Sequence, residues 1–299
     1  MSNYVPISKL ITSKISGEWG SDPVTDNSVR VIRTTNFTND GELNLKNIAR
    51  REISENKIKN KKLQFGDIII EKSGGSPTQP VGRVVYFDVN DKNDYLCNNF
   101  TSILRPSPEV IPKYLFYGLY YLHLTKKTLA YQNKTTGIIN LQLDRYIQSE
   151  IIRLPSISDQ RKIVSTLEKA ISLRVKRSDS INLIDEYLKS TFLEMFGDPV
   201  TNPKNWQRLN GDEYAKKISV GVVVRPASYY VDTGIPALRS QNITKDGISM
   251  KNLVYFSAED NEKKLSKSII RTNDVLIVRT GQPGTAAIVP KKTRWCELY

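Results

Sequence analysis

The sequence is poor in the residues that usually carry chemistry. It has one histidine, two cysteines and three methionines in 299 residues. A single histidine leaves no His-rich metal cluster and no paired histidines for acid–base work. His123 lies in YYLHLTKK, on an expected helix, and reads as structural. Cys97 and Cys296 stand far apart and no CxxC occurs. No zinc or other metal site is therefore expected, and both thiols read as reduced. Cys97, in the apolar run LCNNFTSIL, reads as core. No apolar run approaches the roughly 18 residues that a membrane span needs. The first residues, MSNYVPISKL, lack the charged and apolar segments of a signal peptide, so the expected location is cytoplasmic and away from membranes. Catalytic motifs are missing as well. There is no GxxxxGK[ST] phosphate loop and no NPPY- or DPPF-type methyltransferase motif, because Asp198-Pro199 and Asn202-Pro203 are followed by Val200 and Lys204. Asp67, Glu71 and Lys72 faintly suggest a nuclease cluster, but the matching Asp274 and Arg279 break the pattern. Acidic residues are the last shortage: 31 Asp and Glu face 44 Lys and Arg, a net charge of +13. A chain this basic is expected to meet a polyanion.

What is present is a repeat. VRVIRTTNFTNDGELNLKN around Arg33 answers IPALRSQNITKDGISMKN around Arg239. Arg33 matches Arg239, Asn36 matches Asn242, and Asp40-Gly41 matches Asp246-Gly247. LQFGDIIIEKSGGSPTQPVGRVVYF answers IRTNDVLIVRTGQPGTAAIVP, so that Asp67 matches Asp274, Lys72 matches Arg279 and Gly82 matches Gly284. The offset stays near about 206 residues, far too long for a solenoid, and implies two globular modules in tandem. Each copy reads as β-rich. Its apolar strands run into polar or Gly-rich loops, and Asp-Gly marks a turn that needs positive φ. In the first copy a helix is expected from Pro112 to about Lys126, followed by a hairpin-like stretch, TTGIINLQLDRYIQSEIIRLP.

Between the copies runs SISDQRKIVSTLEKAISLRVKRSDSINLIDEYLKSTFLEMFGD, free of proline and of internal glycine. Ser158 is read as its N-cap, Asp159 suits the first turn, and Gly197 is a natural stop. A helix from Asp159 to Phe196 would be about 57 Å long. A 3-4 alternation marks a coiled-coil seam: Gln160, Ile163, Leu167, Ala170, Arg174, Arg177, Ile181, Ile184, Leu188, Thr191 and Met195. A stripe this long needs a partner helix. The expected partner-facing residues are Ile163, Leu167, Ala170, Ile181, Ile184, Leu188 and Met195. Pro199 and Pro203 stiffen the linker FGDPVTNPKNW that follows.

Module, long helix, linker and second module together resemble the specificity subunit of type I restriction-modification enzymes. The resemblance spans the chain and rests on GDIIIEKSGG with VGRVVYF, GIINLQ before IIRLP, the helix start ISDQRKIVSTLEKA, and FLEMFGDPVTNPKNW. It implies an α+β chain: two β-rich target recognition domains joined by a long coiled-coil-type helix, the second domain incomplete. Residues 1–157 would form the first recognition domain, 158–197 the spacer helix, 198–205 the linker and 206–299 part of the second domain. Each domain would read one half of a bipartite DNA site, with the helix as the ruler between them. Catalysis would belong to partners: methyltransferase subunits holding S-adenosylmethionine, and a motor and restriction subunit using ATP and Mg²⁺. This chain would bind no cofactor and act as a non-catalytic subunit.

Base reading needs Arg, Lys, Asn or Gln on a rigid frame, and phosphate contact needs basic or hydroxyl side chains and Gly-rich loops. The candidates in the first module are Arg33, Thr34, Thr35 and Asn36, then Lys72, Ser73, Gly74, Gly75, Ser76, Thr78, Gln79 and Arg83, and, from YQNKTTG, Gln132, Asn133 and Lys134. In the second they are Arg239, Ser240, Gln241 and Asn242, then Arg279, Thr280 and Gln282 with Gly281 between them. Residues shared by both copies read as structural or phosphate-contacting. Residues that differ, such as Thr35 against Gln241, read as base-contacting.

The second copy stops at KKTRWCELY, before counterparts of NNFTSILRP and of the helix after it. The tail Thr293 to Tyr299 fits a frameshift at a run of adenines encoding Lys291 and Lys292. A gene without such a run, or without a family-like frame downstream, would sink that idea. Besides the truncated specificity subunit, two readings stay open: a half-length form in which two copies pair their long helices as a twofold dimer, and a stand-alone DNA-binding regulator.

Overall fold

A computed structural model describes residues 3–23, 28–76, 79–135, 138–222 and 226–291, with residues 134 and 135 described by their backbone alone. Thr78, the Lys134 side chain, Lys292, Cys296 and the Thr293–Tyr299 tail lie outside the described residues. The chain divides into two compact units, residues 1–192 and 193–299.

The first unit opens with β1 (Tyr4–Pro6), β2 (Ile11–Ser16), β3 (Val29–Ile32), β4 (Ala49–Arg51) and helix α1 (Glu55–Lys61). Then come β5 (Ile68–Glu71), β6 (Ser73–Gly75), β7 (Val84–Tyr86), β8 (Tyr95–Cys97), β9 (Thr101–Pro106) and α2 (Pro112–Leu124). β10 (Gln132–Thr135), β11 (Ile138–Leu141), α3 (Leu143–Ser149) and β12 (Ile151–Arg153) complete the globular part. The central sheet is antiparallel with strand order β2-β9-β5-β7. A second sheet, β4-β3-β8, holds the parallel pair β3–β8.

β5 explains the core. Its three consecutive isoleucines are β-branched, suited to a pleated strand, and wholly buried. A strand apolar on both faces belongs in the middle of a layered domain. Ile68 and Ile70 join Leu115, Phe116 and Leu119 of α2, while Ile69 joins Ile32, Val85 and Ile103 on the other side. Each fully buried isoleucine contributes about 1.5–3 kcal/mol. Cys97 is buried in the second cluster, and burial pushes its thiol pKa up to about 11, so it behaves as an apolar side chain.

The stretch expected as one hairpin is a hairpin plus a helix. β10 and β11 pair through Gln132↔Leu141 and Asn133↔Asn140, then LDRYIQS coils into α3 and buries Leu143, Tyr146 and Ile147. That apolar spacing is helical, which the strand-like flanks obscure in the sequence.

The long helix α4 runs Ile157–Phe196. Its cap is Ser156, not Ser158: the Asp159 N–H donates to Ser156 Oγ at 3.2 Å, and the hydroxyl donates back to the Asp159 carboxylate at 2.8 Å. The helix buries Gln160 and Val164, and Glu168 pairs with Lys113 and Arg174 with Asp40. Gln160 and Arg174 therefore belong to the face that meets the first unit rather than to a free seam. Ile163, Leu167, Ala170, Ile181, Ile184, Leu188 and Met195 are all exposed.

In the second unit the linker folds back on the end of α4. Gly197 takes φ +77°, Lys204 Nζ donates to the carbonyl of Met195 at 3.0 Å, and Trp206 Nε1 donates to that of Phe196 at 2.8 Å. Beyond it lie α5 (Gly211–Tyr214), β13 (Tyr230–Val231), β14 (Ile235–Ala237), β15 (Ile243–Thr244), β16 (Gly247–Ile248) and β17 (Val254–Phe256). α6 (Ala258–Lys263), β18 (Val275–Ile277) and β19 (Ala286–Ile288) follow. The strands form β13-β17-β14 and the pairs β15–β16 and β18–β19. A small buried cluster of Ile243, Val278 and Ala287 holds the last two pairs together.

Candidate DNA-recognition surface

The repeated Arg-x-x-Asn element builds the same object twice. In the first unit Asn36 Oδ1 accepts from the Arg33 N–H at 2.9 Å, and Asn36 Nδ2 donates to the carbonyls of Asn44 and Lys46 at 3.0 and 3.3 Å. In the second, Asn242 Oδ1 accepts from the Arg239 N–H at 3.0 Å, and Nδ2 donates to Ser249 and Lys251, both at 2.9 Å. Arg33 Nη2 reaches the carbonyl of Asn47 at 2.8 Å, and Arg239 Nη2 that of Asn252 at 2.7 Å. Asn47 and Asn252 both sit at positive φ, 58° and 53°. The short loop of each copy is thus a rigid bracket. The turn glycines Gly41 and Gly247 also take positive φ, as Asp-Gly implies.

This geometry places four of the candidate residues within the bracket itself. Asn36 and Asn242 are buried and their amides are fully engaged within the bracket, so neither faces DNA. Arg33 and Arg239 are half-buried and tied to backbone carbonyls, which makes them part of the frame. The residues displayed by the bracket are the ones that differ: Thr34 and Thr35 in one copy, Ser240 and Gln241 in the other. Thr35, Ser240 and Gln241 are exposed.

Arg83 is also engaged within the protein. Its guanidinium donates to both Glu71 carboxylate oxygens, at 2.8 and 3.0 Å, and to the Thr34 carbonyl at 3.2 Å. It lies over the Phe37 ring, 5.7 Å from its centroid. An arginine so committed positions the bracket. In the second copy Val278 and Thr285 stand in place of Glu71 and Arg83, so the charges vanish together. His123, on α2, is half-buried. Burial first, then the Arg83 charge, pulls its pKa below the ordinary histidine value.

The Lys72–Ser76 loop and the Gln132–Lys134 stretch, separate in sequence, meet in one sheet of order β10-β11-β6. Ser73 Oγ donates to Asn140 Oδ1 at 2.6 Å, and the Leu141 N–H to the Lys72 carbonyl at 2.8 Å. The Gln132 amide is spent on the Val81 carbonyl at 3.1 Å, whereas Asn133 and Gln79 are exposed. Gly74 is exposed, while Gly75 lies too close to Val81 and Gln79 to admit a side chain. Ser76 and Gln79 close the loop through paired backbone bonds of 2.8 and 3.1 Å. In the second unit Arg279, Thr280, Gly281 and Gln282 form the exposed loop between β18 and β19.

Beside this sheet lies a cleft of about 470 Å³ lined by Lys14, Ser16, Lys72, Gln142, Asp144 and Arg145 among others. Lys72 Nζ donates to Ser16 Oγ at 3.3 Å, and Lys14 pairs with Asp144. Burial, the largest influence, together with the nearby Lys14 and Lys61 charges, holds the Lys72 pKa below the ordinary lysine value. Lys14 and Arg145 are basic lining residues that the repeat could not flag. Lys14 precedes the repeated segments and Arg145 follows them; only the fold brings them to Lys72.

Among the described residues no helix is long and apolar enough to cross a membrane, and no group of three or more His, Cys, Asp or Glu could hold a metal ion. No curated protein matches the chain. Among solved structures it is similar to a chain from work on the structural basis of complex assembly and conformational transition of the type I R-M system. That match has 18% identity and a TM-score of 0.50, covering 96% of this chain and 71% of the other. An HsdS subunit from Thermoanaerobacter tengcongensis is similar at 17% identity and TM-score 0.45, covering 96% and 71% of the two chains. A type I restriction-modification system S subunit from M. genitalium is similar at 15% identity and TM-score 0.45, covering 97% and 71%. Likeness at these identities concerns the fold, a mixed α+β chain with β-rich domains and a long helix. The profile of one family, the type I restriction modification DNA specificity domain, matches residues 24–183, more than half of the chain. The chain belongs to the family of type I restriction-modification DNA specificity domains.

Proposed function

We propose that the chain reads DNA sequence as the specificity subunit of a type I restriction-modification assembly, with the first unit recognising one half of a bipartite site. The observation that carries this reading is the duplicated bracket: its half-buried Arg and buried Asn are the same in both copies, while the residues it displays differ. A fixed frame with changeable contact residues is what two modules reading different bases require. The basic cleft around Lys72 supports phosphate contact beside it. The chain itself is non-catalytic. Methylation is the work of partner methyltransferase subunits with S-adenosylmethionine, and cleavage that of a motor subunit with ATP and Mg²⁺.

Methylation mapping in cells with and without the gene tests this. A split sequence motif should lose its modified base when the gene is removed, and an unchanged set of modified sites would overturn the reading. Purified protein should bind duplex DNA with an affinity that falls steeply with salt, by a log–log slope of about −0.9 per phosphate neutralised.

The exposed stripe on α4 favours a second reading, in which two copies pair their long helices and present two first units to a symmetric site. Ile181 and Leu188 are 59% and 61% exposed, costly for apolar side chains left in water. Light scattering separates the two: a dimer abolished by Ile181→Asp with Leu188→Asp supports helix pairing, and a monomer at all concentrations rejects it.

A further inference from the structure

The basic cleft beside the β10-β11-β6 sheet is assembled from three distant stretches of chain. β2 alternates half-buried and exposed residues, and Lys14 and Ser16 share its exposed face. Ser16 pairs with Ser102 of β9, and Ser102 pairs with Ile70 of β5, so β9 alone separates β2 from β5. Lys72 follows β5 directly, and its Nζ reaches back across β9 to Ser16 Oγ at 3.3 Å. The third stretch is the start of α3. The Leu141 N–H donates to the Lys72 carbonyl at 2.8 Å, which brings Asp144 and Arg145 to the same cleft.

Three cations and one carboxylate line this cleft. The Lys14 charge helps to depress the Lys72 pKa, so the two ammonium groups repel each other. Asp144 offsets Lys14 alone, as its ion-pair partner. Arg145 Nη1 donates to Gln142 Oε1 at 3.3 Å, and the guanidinium lies 5.6 Å from the Tyr131 ring centroid. Among the described residues neither Lys72 nor Arg145 has an ion-pair partner. The Asp144 side chain is 71% exposed, and an ion pair so open to water is weakly held. A phosphodiester offers the same ammonium two oxygens that share one negative charge.

We propose that the cleft seats one phosphodiester of the DNA backbone among Lys14, Lys72 and Arg145, and that Asp144 holds Lys14 in the absence of DNA, as an internal competitor which that phosphate displaces. The site deepens the DNA-reading function proposed above and rests on it. Ser16 Oγ accepts from Lys72 and keeps its own proton to donate to the phosphate. A contact of this kind carries no base information. It fixes the register in which the adjoining β10-β11-β6 sheet meets the bases.

The probe is a mixed-sequence DNA duplex, titrated with the full chain across a range of salt concentrations. Lys72→Met with Arg145→Met should lower the log–log slope by about 0.9, the value of one phosphate. A loss near twice that, about 1.8, means two separate phosphates and overturns the shared seat. Asp144→Asn removes the competitor and should tighten binding by up to about fivefold. That gain should vanish in a Lys14→Met background. Both residues lie at the surface, so neither change touches the core. A gain that persists without Lys14 is only the long-range field of the lost charge and overturns the competition, as does no gain at all. Inorganic phosphate is the second probe, with acetylation of Lys14 and Lys72 as the readout. Protection by the duplex supports the proposal. Protection by inorganic phosphate with none by the duplex makes the cleft a site for a free anion and overturns it. Duplex binding with an unchanged slope in the double Met variant overturns the cleft alone. A parent chain that leaves the duplex unbound at every salt concentration overturns the DNA-reading function with it.

Discussion

Glu71 and Arg83 hold opposite charges in a nearly dry site, and their counterparts Val278 and Thr285 hold none. A buried ion pair offsets its desolvation only while both charges are present. Glu71→Ala strands the guanidinium and should cost about 3–5 kcal/mol in urea unfolding of the first unit. Replacing the pair together, Glu71→Val with Arg83→Thr, should cost less than the single change. Strict additivity would show that the pair is not coupled. This pair also marks a limit of sequence reading. A basic residue after a Gly-rich loop looks like a phosphate contact, because the register that sets Glu71 beside it is invisible in sequence. Arg33 and Asn36 could be narrowed further in sequence, because their identity in both copies already pointed to a structural or phosphate-contacting role rather than to base contact. Lys72 was legible as a candidate, but its cleft was not. A phosphate there needs the protonated amine, and the Lys72 pKa is lowered, so DNA affinity should begin to fall with rising pH before ordinary lysines titrate. Lys72→Arg keeps the charge and should abolish that early fall in binding isotherms taken across alkaline pH.

At the scale of elements, the long helix was the most legible feature, since an uninterrupted amphipathic run without proline or glycine has few other fates. Its orientation was not legible. A helix of this length offers several apolar stripes, and spacing alone cannot tell which one meets its own unit. The structure turns Gln160 and Val164 inward and leaves Ile181, Ile184 and Leu188 outside. Gln160 is the pin: its Oε1 accepts from the Ile111 N–H at 2.8 Å, and its Nε2 donates to the Pro155 carbonyl at 3.0 Å. Ile111 immediately precedes α2, so one side chain joins the starts of two helices. Gln160→Ala orphans that amide and should cost about 1–3 kcal/mol. The Ile111 amide should then exchange faster, while amides in the second half of α4 keep their rates. A uniform increase along α4 would mean that the helix is held elsewhere.

Two compact units built on one plan, but with unequal cores, should lose their structure separately. The first unit buries a continuous set of apolar residues on both faces of β5, whereas the buried cluster of the second comprises Ile243, Val278 and Ala287. Calorimetry of the whole chain should show two transitions, with the second unit melting first. The shared bracket supplies matched probes for assigning them. Asn36→Ala and Asn242→Ala each remove one acceptor and two donor contacts from a buried amide, a loss of about 1–3 kcal/mol in either unit. Asn36→Ala should lower only the upper transition and Asn242→Ala only the lower. If each substitution shifted both transitions equally, the chain would unfold as one cooperative body, and the second unit would owe its stability to the first. Separate transitions would mean that the second unit can open while the first stays folded.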